Sequence, residues 1–222
     1  MPAQGPRDEI EALHRAEFQL SLRQRGIRDH KVLKAMETVP RTLFVQDGQE
    51  AHAYADRALP IACGQTISQP FLVAYMTQML ELSENHKVLE IGMGSGYQTA
   101  ILARIARRVY TIERYRTLVG AAELRLQSLK ITNVTAMPGD GSQGWPPQAP
   151  FDRIIVTAAA DQVPKPLVEQ LANGGIMIIP VGAPQGEQKL VRIEKGPKGA
   201  ISEKTLMAVR FVPLVAGRAA SL

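Results

Sequence analysis

The sequence holds a single cysteine, Cys63, in 222 residues. One cysteine builds neither an internal disulfide framework nor a cysteine-rich metal site. A reduced, cytoplasmic protein is therefore the expectation. Long apolar runs are missing too. The longest are short pieces such as 176–181, far below the roughly 20 residues of a membrane span. Residues 1–15 mix proline, glycine, acids and bases, a composition unlike a secretory signal. No segment reads G-x-x-x-x-G-K-[ST], so a phosphate loop with its lysine is excluded. Nor is charge of one sign concentrated. The net charge of +5 divides into 0 over residues 1–60, +2 over 61–160 and +3 over 161–222. Such a spread gives no reason to expect a nucleic-acid partner. The tightest basic group, Arg104, Arg107 and Arg108, suits the last turn of a helix, where cations offset the macrodipole.

The chain does have the balance of a folded protein, with 45% hydrophobic and 21% charged residues. Apolar spacing predicts a helix over 8–26, with Ile10, Leu13, Leu20 and Leu22 inside and Gly26 at its stop. A second helix starts after Asp29 as N-cap, carries Val32, Leu33 and Met36 on one face, and ends before Pro40. Residues 41–63 show no period and read as a segment hugging the surface. A third helix fits 69–82. From Lys87 the pattern changes to short β-branched runs at 88–91, 109–112, 134–137, 154–156 and 176–181. Helical segments at 97–107, 116–130 and 164–172 separate them, the last stopped by Gly174-Gly175. Two more strands fit 190–193 and 207–212. Alternating strands and helices predict an α/β fold with a doubly wound, mostly parallel sheet. Ligands of such sheets bind beyond the strand C-termini, where the strand order reverses.

The loop after the first of these strands reads Glu90-Ile91-Gly92-Met93-Gly94-Ser95-Gly96-Tyr97. Glycines here let the backbone turn tightly and approach a ligand. Tyr97 stands where the dinucleotide pattern G-x-G-x-x-G needs its last glycine, so a nicotinamide reading fails. A tight turn without a ligand also fits the loop alone. Three acids at strand ends change the balance. Glu113 lies 21 residues after Gly92, where an α/β nucleotide site places a ribose-binding carboxylate. Asp140 comes after the third strand and suits an exocyclic amine. Glu90, beside the glycines, suits an ammonium. Acids repel a polyphosphate and favour a nucleoside carrying an ammonium and a sulfonium. S-adenosyl-L-methionine is the cofactor expected, and methyl transfer the reaction.

The residues after the fourth strand bear on the methyl acceptor. Thr157-Ala158-Ala159-Ala160 is a smooth wall of small residues, with no polar clamp for a weakly nucleophilic amide or base amine. The histidines His14, His30, His52 and His86 stand outside the sheet motifs and read as surface or packing residues. The acceptor should therefore be a competent nucleophile already. In Gly64-Gln65-Thr66-Ile67-Ser68-Gln69-Pro70, Ser68 reads as a helix N-cap. A hydroxyl with free N–H groups at a helix start also suits an anion. A carboxylate with pKa of about 3.9 is ionised near neutrality and needs no base. Cys63 reads by default as a small buried hydrophobe.

These residues resemble the protein-L-isoaspartate O-methyltransferase family over roughly residues 15 to 215. The resemblance rests on Val39-Pro40-Arg41, Tyr54-Ala55-Asp56, Leu59-Pro60-Ile61 and, above all, Thr66-Ile67-Ser68-Gln69-Pro70. It continues through Val88-Leu89-Glu90-Ile91-Gly92, Gly94-Ser95-Gly96-Tyr97, Asp140-Gly141 and Pro180-Val181-Gly182. It implies a seven-stranded methyltransferase sheet of Rossmann-like type with an N-terminal helical extension. It implies Ser68 as the active-site residue, with Thr66, Ala158 and Ala159 beside the substrate. Gln65, Thr66, Ile67, Glu90, Gly92, Gly94, Gly96, Glu113, Asp140 and Gly141 would hold the cofactor, with no metal. Met93 stands where threonine or serine is expected, and Val73 where some members carry histidine. The implied substrate is the free α-carboxylate of an L-isoaspartyl residue in a damaged protein or peptide. The expectation is a monomeric protein repair enzyme of one domain, residues 1–222. Residues 1–82 would form the cover and 83–222 the cofactor-binding core, with no nucleic acid and no membrane.

Overall fold

The computed structural model describes residues 6–217 and 219, with side chains from Arg15 onward. The side chains of Ile10, Leu13 and His14 lie outside those described. Helix α1 (Pro6–Gln24) ends as the sequence predicts. Gly26 turns into the left-handed region at φ 93, with Gly26 N–H bonded to Arg23 O and Ile27 N–H to Leu22 O. This bond pair is a Schellman stop, and the accompanying apolar contact comes from Leu22 and Ile27, both buried. Leu20, counted among the inner positions, is exposed. Helix α2 (His30–Thr38) starts on Asp29, whose carboxylate accepts from Lys31 N–H and Val32 N–H. Its buried face is Val32, Leu33, Ala35 and Met36.

The segment expected to hug the surface penetrates the molecule instead. Arg41 and Phe44, on a 3-10 turn, have no exposed surface, and neither has Ala53. Strand β1 (Leu59–Pro60) then pairs antiparallel with β2 (Thr66–Ile67). Between them Cys63 sits at φ 61, half-buried, its Sγ 3.3 Å from Thr117 Oγ1. It is a half-buried loop residue packed against the edge of the core, and not the fully buried hydrophobe expected. Helix α3 (Pro70–Met79) is capped by Gln69 and not by Ser68, and no side chain of the cap residue bonds the helix start. The first free N–H, on Phe71, donates to Asp56 Oδ1 at 3.0 Å. A carboxylate from the cover therefore already fills the helix start.

The main sheet has seven strands: β3 (Lys87–Ile91), β4 (Arg108–Glu113), β5 (Val134–Pro138), β6 (Phe151–Val156), β7 (Leu171–Val181), β8 (Gln188–Lys195) and β9 (Ile201–Val209). Their order is β5-β4-β3-β6-β7-β8-β9. The first five run parallel, and β8 and β9 return antiparallel as a meander. Helices α4 (Tyr97–Ala103), α5 (Arg116–Ser128) and α6 (Lys165–Gln170) make the crossovers. Order reverses between β3 and β6, and that is where a ligand crevice belongs. Side chains alternate between the faces. Val88, Ile176 and Ile178 pack with Leu22, Met36 and Phe44 from the cover, whereas Leu89, Ile91, Met177 and Ile179 pack with Leu167 on the other side.

Several sequence boundaries shift. Gly174-Gly175 lies inside β7 and stops no helix; a register irregularity beside β6 absorbs the pair. α4 ends at Ala103, so the arginine group is not one helical turn: Arg104 caps α4, and Arg108 opens β4. The last strand begins at Ile201, six residues earlier than its apolar half suggests. Residues 212–215 lie beyond its end.

Candidate functional site

The glycine loop is held from three sides. Gly92 has φ 93 and donates its N–H to Ile112 O on the neighbouring strand at 2.8 Å. A Cβ there would meet Thr157 Oγ1 at 2.4 Å, and this hydroxyl lies 2.7 Å from Gly92 O and 3.0 Å from Ile91 O. A Cβ on Gly96, at φ 89, would meet Ala122 Cβ at 2.9 Å. Only glycine lets the loop lie this close to β6 and α5. Gly94 N–H donates to Glu113 Oε2 at 2.9 Å, and Tyr115 N–H donates to Oε1 at 3.1 Å. Glu113, almost fully buried, thus links the loop to the end of β4.

The cleft above this loop encloses about 790 Å³, its open mouth included. Its floor is Ile91, Gly92, Gly94, Ile112 and Glu113, with Gly141 at one end. One wall is Gln65, Thr66, Ile67 and Ser68 from the cover; Thr157 and Ala158 face it from the sheet. Nine of the residues expected at the site therefore meet around one space. Gly141 is tightly fitted, since a Cβ there would lie 2.3 Å from Ile91 Cγ2.

Four others stand behind the lining. Gly96 is the turn into α4. Ala159 bonds the tail, its N–H donating to Val212 O at 2.8 Å and its carbonyl accepting from Leu214 N–H at 2.7 Å. Asp140 turns into its own loop, accepting from Ser142 N–H at 2.9 Å, Ser142 Oγ at 2.7 Å and Gly217 N–H at 2.8 Å. Burial would raise its pKa, but these bonds and nearby Arg114 outweigh burial and hold it low. Glu90 departs furthest from the expectation that it faces a ligand ammonium. It has no exposed surface; its Oε2 accepts from Thr99 Oγ1 at 2.5 Å and Thr111 Oγ1 at 2.6 Å. Burial lifts its pKa to about 8, against the pull of the two hydroxyls. Glu90 shares the inward face of Val88, two residues before it, and so points under the sheet and not over its end.

The cleft also uses residues outside the set expected to hold cofactor or substrate. Met93, Gln98, Arg114 and Tyr115 line it, and so do Val212, Pro213, Leu214 and Val215. Met93 is 2% exposed, which explains how a long apolar side chain fits between two glycines. The tail residues carry no pattern, and long-range contacts such as the bridge of Pro213 to Ala159 bring them here. Among the histidines, His86 is a packing residue whose Nδ1 accepts from Ser83 N–H at 3.1 Å, its pKa lowered by burial.

A mostly parallel sheet with a glycine loop, a buried carboxylate at the end of the neighbouring strand and a crevice at the switch point defines an S-adenosylmethionine-dependent methyltransferase fold of Rossmann-like type. Comparison with known proteins narrows the class. The chain is 57% identical over 216 residues to the Parvibaculum lavamentivorans protein named protein-L-isoaspartate O-methyltransferase, covering 96% of this chain and 94% of that one. It is 58% identical over 214 residues to the Azorhizobium caulinodans protein of the same name, with coverage of 96% and 98%. A solved protein-L-isoaspartate O-methyltransferase superposes with TM-score 0.81 at 29% identity, over 90% of this chain and 65% of that longer one. A Plasmodium falciparum beta-aspartate methyltransferase, solved in complex with S-adenosyl-L-homocysteine, gives TM-score 0.78 at 27% identity, over 91% and 98%. Residues 14–219 match the family described as protein-L-isoaspartate(D-aspartate) O-methyltransferase, and the chain belongs to that family.

Proposed function

We propose that this chain repairs damaged proteins and peptides by moving a methyl group from S-adenosyl-L-methionine to the free α-carboxylate of L-isoaspartyl residues. Glu113 would hold the ribose and Ser68 would orient the acceptor. The observation that carries this reading is one cleft, at the switch point of the sheet, with Glu113 on the glycine-loop side and Thr66 and Ser68 on the cover side.

The chain's residues fit the cofactor. An ionised carboxylate has about four acceptor positions. Backbone N–H groups of Gly94 and Tyr115 fill two on Glu113, and the rest are free for a ribose diol. Gln65, Ile67, Gly92 and Gly141 supply close backbone and apolar contact. Gly96, Glu90 and Asp140 shape the site from behind it. Bound there, S-adenosyl-L-methionine supplies a methyl group on a cationic sulfur. Thr66 and Ser68 would align the substrate, the small side chain of Ala158 would leave room for a peptide, and Ala159 would act from behind by holding the tail. The acceptor carboxylate is already ionised, so the chain needs to align it and exclude water rather than remove a proton. Glu113 is the only carboxylate lining the cleft among the described residues.

A cytoplasmic monomer without nucleic-acid or membrane partners belongs to the same proposal. The lone Cys63 and the spread charge support it. Among the described residues no helix is long and apolar enough to cross a membrane. The deciding experiment is transfer of labelled methyl to an isoaspartyl peptide and to its aspartyl twin. Transfer to the first alone is expected; equal transfer to both, or to neither, overturns the reading. Ser68→Ala should lower kcat/KM about ten- to a hundredfold, the loss of one hydrogen bond to a charged group, with S-adenosyl-L-homocysteine binding kept. Glu113→Ala should weaken that binding in calorimetry.

A further inference from the structure

Arg41 is the largest side chain without solvent exposure among the described residues. Its Nε donates to Ala53 O at 2.7 Å, and its Nη2 donates to Ser68 O at 2.7 Å. The guanidinium carbon lies 4.7 Å from the centroid of the Tyr97 ring, which itself lines the cleft. Nη1 has no hydrogen-bond partner among the described residues. Nor does any carboxylate among them lie within ion-pair reach of the charge. Asp56 attracts it from a distance but is committed elsewhere, to the Arg25 guanidinium and to Phe71 N–H. Burial lowers the pKa of Arg41, while Tyr97, Asp56 and Tyr54 oppose the shift; a guanidinium nevertheless stays protonated in a protein.

Buried charges are normally paired, because removing a cation from water is costly. Here the charge meets two carbonyl dipoles and the ring and hydroxyl of Tyr97, with no carboxylate in ion-pair reach among the described residues. Holding two carbonyls requires donors and not a net charge. The charge is nonetheless present, bonded to the backbone of Ser68 from a buried residue that does not itself line the cleft. We infer that Arg41 is a positioning residue that pins the backbone of Ser68 and sets a positive field there, so that the site selects an ionised carboxylate over its neutral amide. This rests on the reading of Ser68 given above. The acceptor's own charge then completes the neutralisation of Arg41. At about 8 Å and an effective dielectric constant of about 20, one unit charge shifts the binding of an anion roughly ten- to thirtyfold.

The test compares two peptide ligands in the full-length enzyme. One is an isoaspartyl peptide. The other is the same peptide with that α-carboxylate converted to an amide, measured as a competitive inhibitor. The acid-to-amide affinity ratio reads the field, whereas a merely structural role moves both ligands together. Arg41→Gln should cut the ratio roughly ten- to thirtyfold, with S-adenosyl-L-homocysteine affinity within about twofold of wild type. Arg41→Lys keeps a charge but loses the fork. It should lower kcat and keep the ratio. An unchanged ratio in Arg41→Gln overturns the inference. Should Arg41→Gln fail to fold, Arg41→Lys decides alone: a retained ratio supports the field, and a lost one overturns it. A Ser68→Ala enzyme of wild-type rate would mean that the Ser68 reading had failed, and the inference with it. A strong Ser68→Ala effect beside an unmoved ratio in Arg41→Gln removes only the role of Arg41.

Discussion

Glu90 occupies a strand position where its neighbours Leu89 and Ile91 are fully apolar and buried. Its Oε1 has no hydrogen-bond partner among the described residues, while Oε2 takes both hydroxyls. An anion with one unanswered oxygen is costly in such a place, so burial raises the pKa to about 8. Neighbouring Glu113 adds a smaller push in the same direction. The folded chain keeps this proton up to about pH 8, whereas the unfolded chain loses it near pH 4.5. The stabilising contribution is complete below the unfolded value and is lost as pH rises through the folded one. Wild-type stability should therefore fall between about pH 5 and pH 8, by at most about 1.4 kcal/mol per pH unit from this group. Glu90→Gln removes the titration and should flatten that part of the profile. Urea unfolding midpoints at several pH values check it; parallel profiles for the two proteins would show that Glu90 ionises normally. The motif placed this acid correctly beside the glycines. It gave no hint of the face, which is set by the alternation with Val88 and by the two threonines from α4 and β4.

The start of α3 shows where reading elements from sequence succeeds and where it stops. Local signals were sufficient for α1, α2 and the first four parallel strands, because caps, glycine stops and β-branched runs act within a few residues, whereas β7 begins five residues before its apolar run. Ser68 passed the same test as a cap and failed in the structure, since the Phe71 N–H finds its acceptor fifteen residues away in Asp56. β9 was cut short because an edge strand needs no apolar alternation, and residues 201–205 are exposed. Residues 41–63 have no period because their burial is dictated by single contacts, such as Arg41 with Ser68 O. Asp56 is a case in point. It joins Arg25 at the end of α1 to the first turn of α3, and Arg25 also stacks 3.6 Å from the Phe71 ring centroid. Asp56→Ala should cost about 1 to 2 kcal/mol, the range for losing an acceptor at a helix start plus an exposed ion pair. Chemical denaturation measures the total. Hydrogen exchange at the Phe71 amide locates it, and unaltered protection there would contradict the role given to Asp56.

At the scale of the whole molecule the cleft is assembled from pieces far apart in the chain: the cover at 65–68, the strand ends of β3 and β4, and the tail at 212–215. The glycine loop and Glu113 were legible because they belong to a strand–loop–helix unit whose spacing is fixed. The tail was not, because nothing local directs it. It is rooted by Gln188, which accepts from Phe211 N–H at 2.6 Å and donates to Phe211 O at 3.2 Å. It then crosses Ala159 and reaches Asp140 through Gly217 N–H. Val212, Leu214 and Val215 thereby close an apolar wall over a floor made of backbone and Glu113. Ending the chain at Phe211 keeps this root and all seven strands, since β9 stops at Val209. It removes the wall. The truncated protein should fold, with hydrogen-exchange protection in β3 to β7 unchanged. Its affinity for S-adenosyl-L-homocysteine should fall at least about tenfold, the equivalent of some 60 Å² of apolar contact returned to water. Calorimetric titration of the two chains decides it. Equal affinities would confine the ligand to the floor and the cover, and the tail would then be a wall for the acceptor peptide alone.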